Sequence, residues 1–174
     1  MSGSTRLGSV LMCGFLLASP SSAWAELGDI SLNFGPLFGT EFDSQRKDGL
    51  GAQLTFDVGL SEFFSFTAGA GYVRHFIGGG EAYQLIHAGA GLVYKLDILI
   101  VVPFLSVRLG FLHLAFDEQS RSGVGFSAAI GVDYLWSESF SAGLSLGYHG
   151  MLSDLEGFPS YLAVDARFGF LLPY

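Results

Sequence analysis

Charge is scarce in this 174-residue chain: Asp, Glu, Lys and Arg together make up 14% of it, against about a quarter in ordinary soluble domains. Basic residues are scarcest, with 8 Lys and Arg against 16 Asp and Glu, a formal charge of −8. That sign is wrong for binding phosphate backbones, so nucleic acid is excluded as a partner. A single cysteine, Cys13, rules out a disulfide scaffold. Beyond the N-terminal stretch there is no run of about 20 apolar residues, which excludes a polytopic helical membrane protein. Yet half of the chain is hydrophobic, 15% is aromatic, and glycine occurs 25 times. Such a composition excludes disorder, which is polar and poor in aromatics. A chain this apolar, with no helix to span lipid, points to a membrane β-barrel.

The first 25 residues read as an address. Arg6 is their only charge, Leu7 to Ala18 is apolar, and Ser19-Pro20-Ser21-Ser22 breaks the run ahead of Ala23-Trp24-Ala25. This is the layout of a secretory signal peptide, with cleavage after Ala25. Cys13 follows Met12 inside the apolar run, so it is not a lipoprotein cysteine and leaves with the signal. The chain therefore divides into a signal peptide, 1–25, and one domain, 26–174, exported by the general secretory pathway.

After residue 28 the dominant period is two, the signature of strands. Ala52, Leu54, Phe56 and Val58 share one face against Gln53, Thr55 and Asp57 on the other. The same alternation gives Phe66, Ala68, Ala70 and Tyr72; Ile86, Ala88, Ala90 and Leu92; Val124, Phe126, Ala128 and Ile130; Ala142, Leu144 and Leu146; and Val164, Ala166, Phe168 and Phe170. Two further strands are less regular: Ile30 to Phe38, interrupted at Pro36, and Leu105 to Phe111. Eight strands result. Ser61-Glu62 and Trp136 to Ser139 read as tight turns, and Asp97 to Val102 as an apolar connection on the same side. Glu41 to Gly49, His75 to Glu81, Asp117 to Gly123 and Gly150 to Pro159 read as longer loops on the other side. Short turns at one end and long loops at the other are the outer-membrane pattern, with both termini periplasmic.

Alternation alone also fits a soluble barrel with an apolar interior. The composition of the second face decides. It is mostly Gly, Ser, Thr and Ala, whereas a soluble exterior is rich in Lys, Glu and Asp. No apolar-face position so assigned is charged, as expected where a lipid-facing Arg or Lys costs about 2–4 kcal/mol. The apolar face therefore looks at lipid. Phe64, Tyr94, Phe104, Tyr134, Trp136, Phe140 and Tyr174 are expected in the periplasmic aromatic girdle. Tyr72, Phe76, Tyr83, Phe111, Phe116, Phe126, Tyr148, Phe158 and Tyr161 are expected in the outer one.

Taken together, the Ala-x-Ala signal, the eight strands, the small size and a last strand ending in an aromatic resemble the small outer-membrane barrels of the OmpX and OmpA-membrane-domain type. The resemblance implies an all-β, eight-stranded antiparallel up-and-down transmembrane barrel in the bacterial outer membrane. It also implies contact with lipid and lipopolysaccharide. The oligomeric state is open, and a monomer is expected because one small barrel has no obligatory need for subunits. Tyr161 to Tyr174 is similar to the C-terminal sorting signal read by the barrel-assembly machinery, through Phe168, Phe170, Leu172 and Tyr174. Pro173 departs from the usual penultimate residue.

Eight strands leave room inside only for side chains. The inward charges are Lys95, Arg108 and Arg167 against Asp57, Asp133 and Asp165. A charge alone there would be costly, so the six are expected to pair in a network that closes the lumen. Inward glycines such as Gly69, Gly71, Gly89, Gly91, Gly110, Gly131, Gly143, Gly147 and Gly169 leave space, to be held by water or filled by Leu85, Val93, Leu112 and Leu135.

Catalytic motifs are weak. Lipid A deacylases, also small barrels, use a His-x-Ser pair with an acidic residue, and none of His75, His87, His113 and His149 has Ser two residues on. His149 with Ser153 and Asp154 in the last outer loop is the nearest constellation. His113 reads as a rim residue. Asp117-Glu118 and Asp154 with Glu156 lack metal-ligand spacing, and no glycine-rich stretch forms a nucleotide cradle. No catalytic residue, metal or cofactor is expected. The reading is a non-enzymatic envelope barrel, with a structural or interaction role. A conduit or binding site for a small apolar solute is the alternative, and a lipid-modifying enzyme comes third.

Overall fold

The computed structural model describes residues 29–41, 47–77, 82–96, 100–116, 119–152 and 160–172. Eight strands alternate outward and inward side chains: β1 (Ile30–Glu41), β2 (Asp48–Gly59), β3 (Phe64–Phe76), β4 (Ala82–Lys95), β5 (Val101–Phe116), β6 (Gln119–Ser137), β7 (Phe140–Met151) and β8 (Tyr161–Leu172). Each pairs antiparallel with the next, and β8 pairs with β1 to close the barrel. Closure removes the sheet edges, whose polar groups lipid cannot satisfy. The expected signal peptide with its cleavage after Ala25, and the residues Asp117, Glu118, Ser153, Asp154, Glu156, Phe158, Pro173 and Tyr174, lie outside the described residues.

The register fixes the geometry. Following paired residues once round the barrel leads from Ile30 through Val58, Phe66, Leu92, Val107, Ala128, Tyr148 and Leu162 to Thr40. The ladder thus returns to β1 ten residues further along. That stagger tilts the strands by roughly 40°. The outward surface is apolar and exposed, with Leu54, Leu92, Leu109, Ile130 and Leu144 among its members.

Four readings of the sequence are corrected. Pro36 does not interrupt β1; it faces outward within the strand, and the β1–β8 ladder skips Gly35 and Pro36 because proline has no N–H to donate. Val101 and Val102 belong to β5, not to the preceding connection. Residues 119–123, read as loop from their Ser, Arg and Gly, continue β6, so β5 and β6 form a tall hairpin paired up to Phe116 and Gln119. Finally, Phe104, Tyr83 and Tyr161 are buried in the lumen rather than in the girdles. Each shares the parity of its inward neighbours, Ser106, Leu85 and Ala163. Phe116 takes the lumen parity too.

The inward glycines are seats for large side chains of neighbouring strands. A Cβ on Gly69 would strike Arg108, on Gly71 His87, on Gly125 Leu112, on Gly131 Phe104, and on Gly143 the Asp133 carboxylate. Gly91 and Gly110 lie so close to the next strand that a Cβ would overlap the carbonyl oxygens of Val107 and Ala88. At these positions the space that glycine leaves is taken by protein, whereas a Cβ on Gly147 would make only ordinary contacts.

Candidate functional site

The lumen holds the polar and titratable side chains, stacked in layers along the barrel axis. At the periplasmic end Val102 and Leu171, with Leu135 against them, form an apolar floor. The charged layer lies above it. Lys95 Nζ is 3.2 Å from Asp57 Oδ2. Asn33 Nδ2 and Ser31 Oγ donate to the same oxygen at 3.3 and 3.4 Å. Arg167 Nε stands 3.4 Å from Asp133 Oδ1, a contact ion pair without hydrogen-bond alignment. The Arg167 guanidinium also covers the Phe104 ring at 4.2 Å, an attraction between cation and π-face.

Of the six charges expected to pair, four form these two contacts. The other two are held differently. Asp165 accepts from Gln53 Nε2 at 2.9 Å and from Ser145 Oγ. Arg108 is seated against Gly69, in the combined field of Asp57, Asp165 and Arg167. All six side chains are buried. Both hydrogen bonds reach the same Asp165 oxygen, and Asp165 Oδ1 has no hydrogen-bond partner among the described residues.

Above Arg108 lies an aromatic column that the sequence reading missed. Tyr161 Oη and His87 Nδ1 are hydrogen-bonded at 3.1 Å. His149 stacks on Tyr161 with ring centroids 4.5 Å apart and lies 4.7 Å from His87. His75 meets the other side of Tyr161 and stacks on Tyr83 at 4.8 Å. Parity was the signal available for finding it. His149 shares the face of Ser145 and Gly147 in β7, not a loop, and points inward, away from where Ser153 and Asp154 were expected to join it. Tyr161 also belongs to an apolar plug with Leu37, Val73, Leu85, Leu112, Met151 and Ala163, in which Val73 and Leu85 are 0% exposed. At the outer mouth Lys47 pairs with Glu41 at 3.1 Å, and the Lys47 carbonyl lies 3.3 Å from His75 Nδ1.

Between these layers remain two small cavities, of about 20 and about 10 Å³, which share Arg108 and His149. Such volumes hold roughly one water each, not a solute. Among the described residues no three His, Cys, Asp or Glu side chains are grouped to hold a metal. On the outward face His113 Nδ1 lies 2.7 Å from Ser122 Oγ across the β5–β6 ladder. Among the described residues no carboxylate hydrogen-bonds this histidine.

No protein-family model and no curated protein sequence matches the chain. Solved structures do match its fold. Neisserial surface protein A, NspA, superposes with a TM-score of 0.70 at 13% identity, over 84% of this chain and 99% of that one. OprG of Pseudomonas aeruginosa gives 0.65 at 12%, over 86% and 98%. The outer membrane enzyme PagL gives 0.50 at 15%, over 81% and 97%. At these identities the likeness is one of architecture, which carries no activity with it. This chain has the fold of the small eight-stranded outer-membrane β-barrels.

Proposed function

We propose that this protein is a non-enzymatic integral barrel of the bacterial outer membrane, closed to solutes, with a structural or interaction role in the envelope. The observation that carries the reading is the filled lumen: apolar floor, charged layer, aromatic column and apolar plug follow one another without a continuous path. The alternative of a conduit or binding site for an apolar solute rested on space left by inward glycines. At Gly69, Gly71, Gly125, Gly131 and Gly143 that space is occupied by Arg108, His87, Leu112, Phe104 and Asp133. The enzymatic reading draws no support from His149, which points into the lumen, or from the His113–Ser122 pair, to which no carboxylate among the described residues is hydrogen-bonded.

The expected surroundings are outer-membrane lipid and lipopolysaccharide against the apolar exterior. The barrel-assembly machinery is expected to act on the last strand through Phe168, Phe170 and Leu172, all outward and exposed in β8. A monomer suffices, because the closed sheet has no edge to cover.

The test combines two measurements on protein extracted from outer membranes. On SDS gels the band is expected to shift on boiling, the mark of a closed barrel. In planar lipid bilayers at neutral pH it is expected to show no conductance. Steady channel activity would refute the closed lumen, and turnover of labelled lipid by the purified protein would refute the non-enzymatic role.

A further inference from the structure

We propose that the His87–Tyr161–His149 stack is an acid-sensitive lock on the outer half of the lumen. At neutral pH it holds the apolar plug shut, and on protonation of its two imidazoles it releases the plug to water. The proposal rests on the closed lumen argued above and adds a condition under which that closure yields.

The stack joins three strands across the interior. Tyr161 of β8 is bonded to His87 of β4 and stacked on His149 of β7. The same tyrosine is a member of the apolar plug, so whatever moves Tyr161 moves the plug. A neutral imidazole offers one accepting nitrogen, and the Tyr161 hydroxyl can donate to it; a protonated ring carries N–H on both nitrogens and can only donate. Where Tyr161 donates to an unprotonated Nδ1, protonation of the ring reverses the 3.1 Å bond.

It also brings like charges together. The two rings lie 4.7 Å apart. Arg108 of β5 borders the cavity that both rings line, seated on Gly69 two residues along β3 from the Gly71 that seats His87. Three cations would then face one another around a cavity with room for about one water.

One carboxylate borders them: Asp165 lines the second cavity with Arg108 and His149, and its Oδ1 has no hydrogen-bond partner among the described residues, so a single negative charge faces three positive ones. From β8, Asp165 is engaged by Gln53 and Ser145, and Arg167 by Asp133. From β2, Asp57 is engaged by Lys95 of β4. From β3, His75 faces the far side of Tyr161 and carries Tyr83 of β4. The two small cavities leave the imidazoles roughly one water each to spread the charge, and His87 Nε2 has no hydrogen-bond partner among the described residues. Histidine is the side chain whose charge acid switches on, which makes such a lock responsive to acid.

The test reads water access to the plug directly. In full-length protein with Cys13→Ser, one reporter is Ala163→Cys, buried in the plug, and the other is Ser122→Cys, exposed on the β5–β6 hairpin. Folding of each variant is checked by the gel shift. The labelling rate of the first by a charged methanethiosulfonate, divided by that of the second at the same pH, removes the intrinsic pH dependence of the thiol. The ratio is expected to rise at least tenfold between about pH 7.5 and about pH 3.5. The rise should persist with Asp165→Asn and vanish with His87→Gln/His149→Gln. His149→Gln alone, which keeps the Tyr161–His87 bond, is expected to shrink it and serves where the double variant does not fold. No rise in the parent protein, or a rise that survives loss of the imidazoles, overturns the lock. A ratio near one already at neutral pH instead overturns the closed lumen, and the lock with it.

Discussion

Replacing Lys95 with methionine removes the cation of a buried ion pair in the lumen while keeping most of the side-chain volume. Asp57 then stays buried with the donors Asn33 and Ser31 on one oxygen but without its ion-pair partner. Breaking a buried pair from one side costs about 3–5 kcal/mol, because the abandoned charge cannot be hydrated. The two remaining donors place Lys95→Met near the lower end, about 3 kcal/mol. Lys95→Met/Asp57→Asn removes both charges, keeps the carboxamide within reach of the same neighbours, and is expected to return to within about 1 kcal/mol of the parent. The measurement is reversible unfolding in urea of barrel refolded into lipid vesicles, followed by tryptophan fluorescence and the gel shift. The reasoning fails if the single variant loses less than about 0.5 kcal/mol, the worth of an exposed pair. It fails equally if the double variant is as unstable as the single one.

Other substitutions separate backbone crowding from free space, lipid from lumen, and filling from vacancy. Gly91→Ala, whose Cβ would overlap the Val107 carbonyl oxygen, is expected to abolish the heat-shifted band. Gly147→Ala, whose Cβ would meet His149 at an ordinary 3.4 Å, should keep it. Leu109→Arg puts a cation on the lipid face and should cost about 2–4 kcal/mol in the same urea assay. Leu112→Ala empties the seat at Gly125 and the middle of the plug, for an expected loss of about 2–4 kcal/mol; a loss under about 1 kcal/mol would mean the plug is loosely packed.

Period-two alternation carries most of the fold into view, because lipid outside and a narrow lumen inside make opposite demands on successive residues. Asp57, Lys95, Arg108, Asp133, Asp165 and Arg167 could all be placed inside on parity alone. Which of them touch could not, since contacts across the lumen depend on the stagger of strands far apart in sequence: Asp165 meets Gln53, 112 residues away. Aromatics near strand ends misled for a different reason. Position along the strand suggested a girdle for Phe104, Tyr83 and Tyr161, and only parity separates a girdle ring from a lumen ring. The β5–β6 tip reads as loop because Ser120, Arg121, Ser122 and Gly123 have the composition of one; the ladder continues through them because each strand gives the other its hydrogen bonds.

The glycine seats make the two faces of this wall answer to different rules of change. An outward leucine exchanged for valine or phenylalanine meets fluid lipid, and nothing across from it must move. An inward glycine is one half of a fit whose other half sits on the neighbouring strand: Gly71 cannot grow unless His87 shrinks, nor Gly131 unless Phe104 does. Substitutions inside must therefore arrive as matched couples, while those outside arrive singly. Anyone hollowing this barrel into a pore would leave the glycines alone and trim their partners.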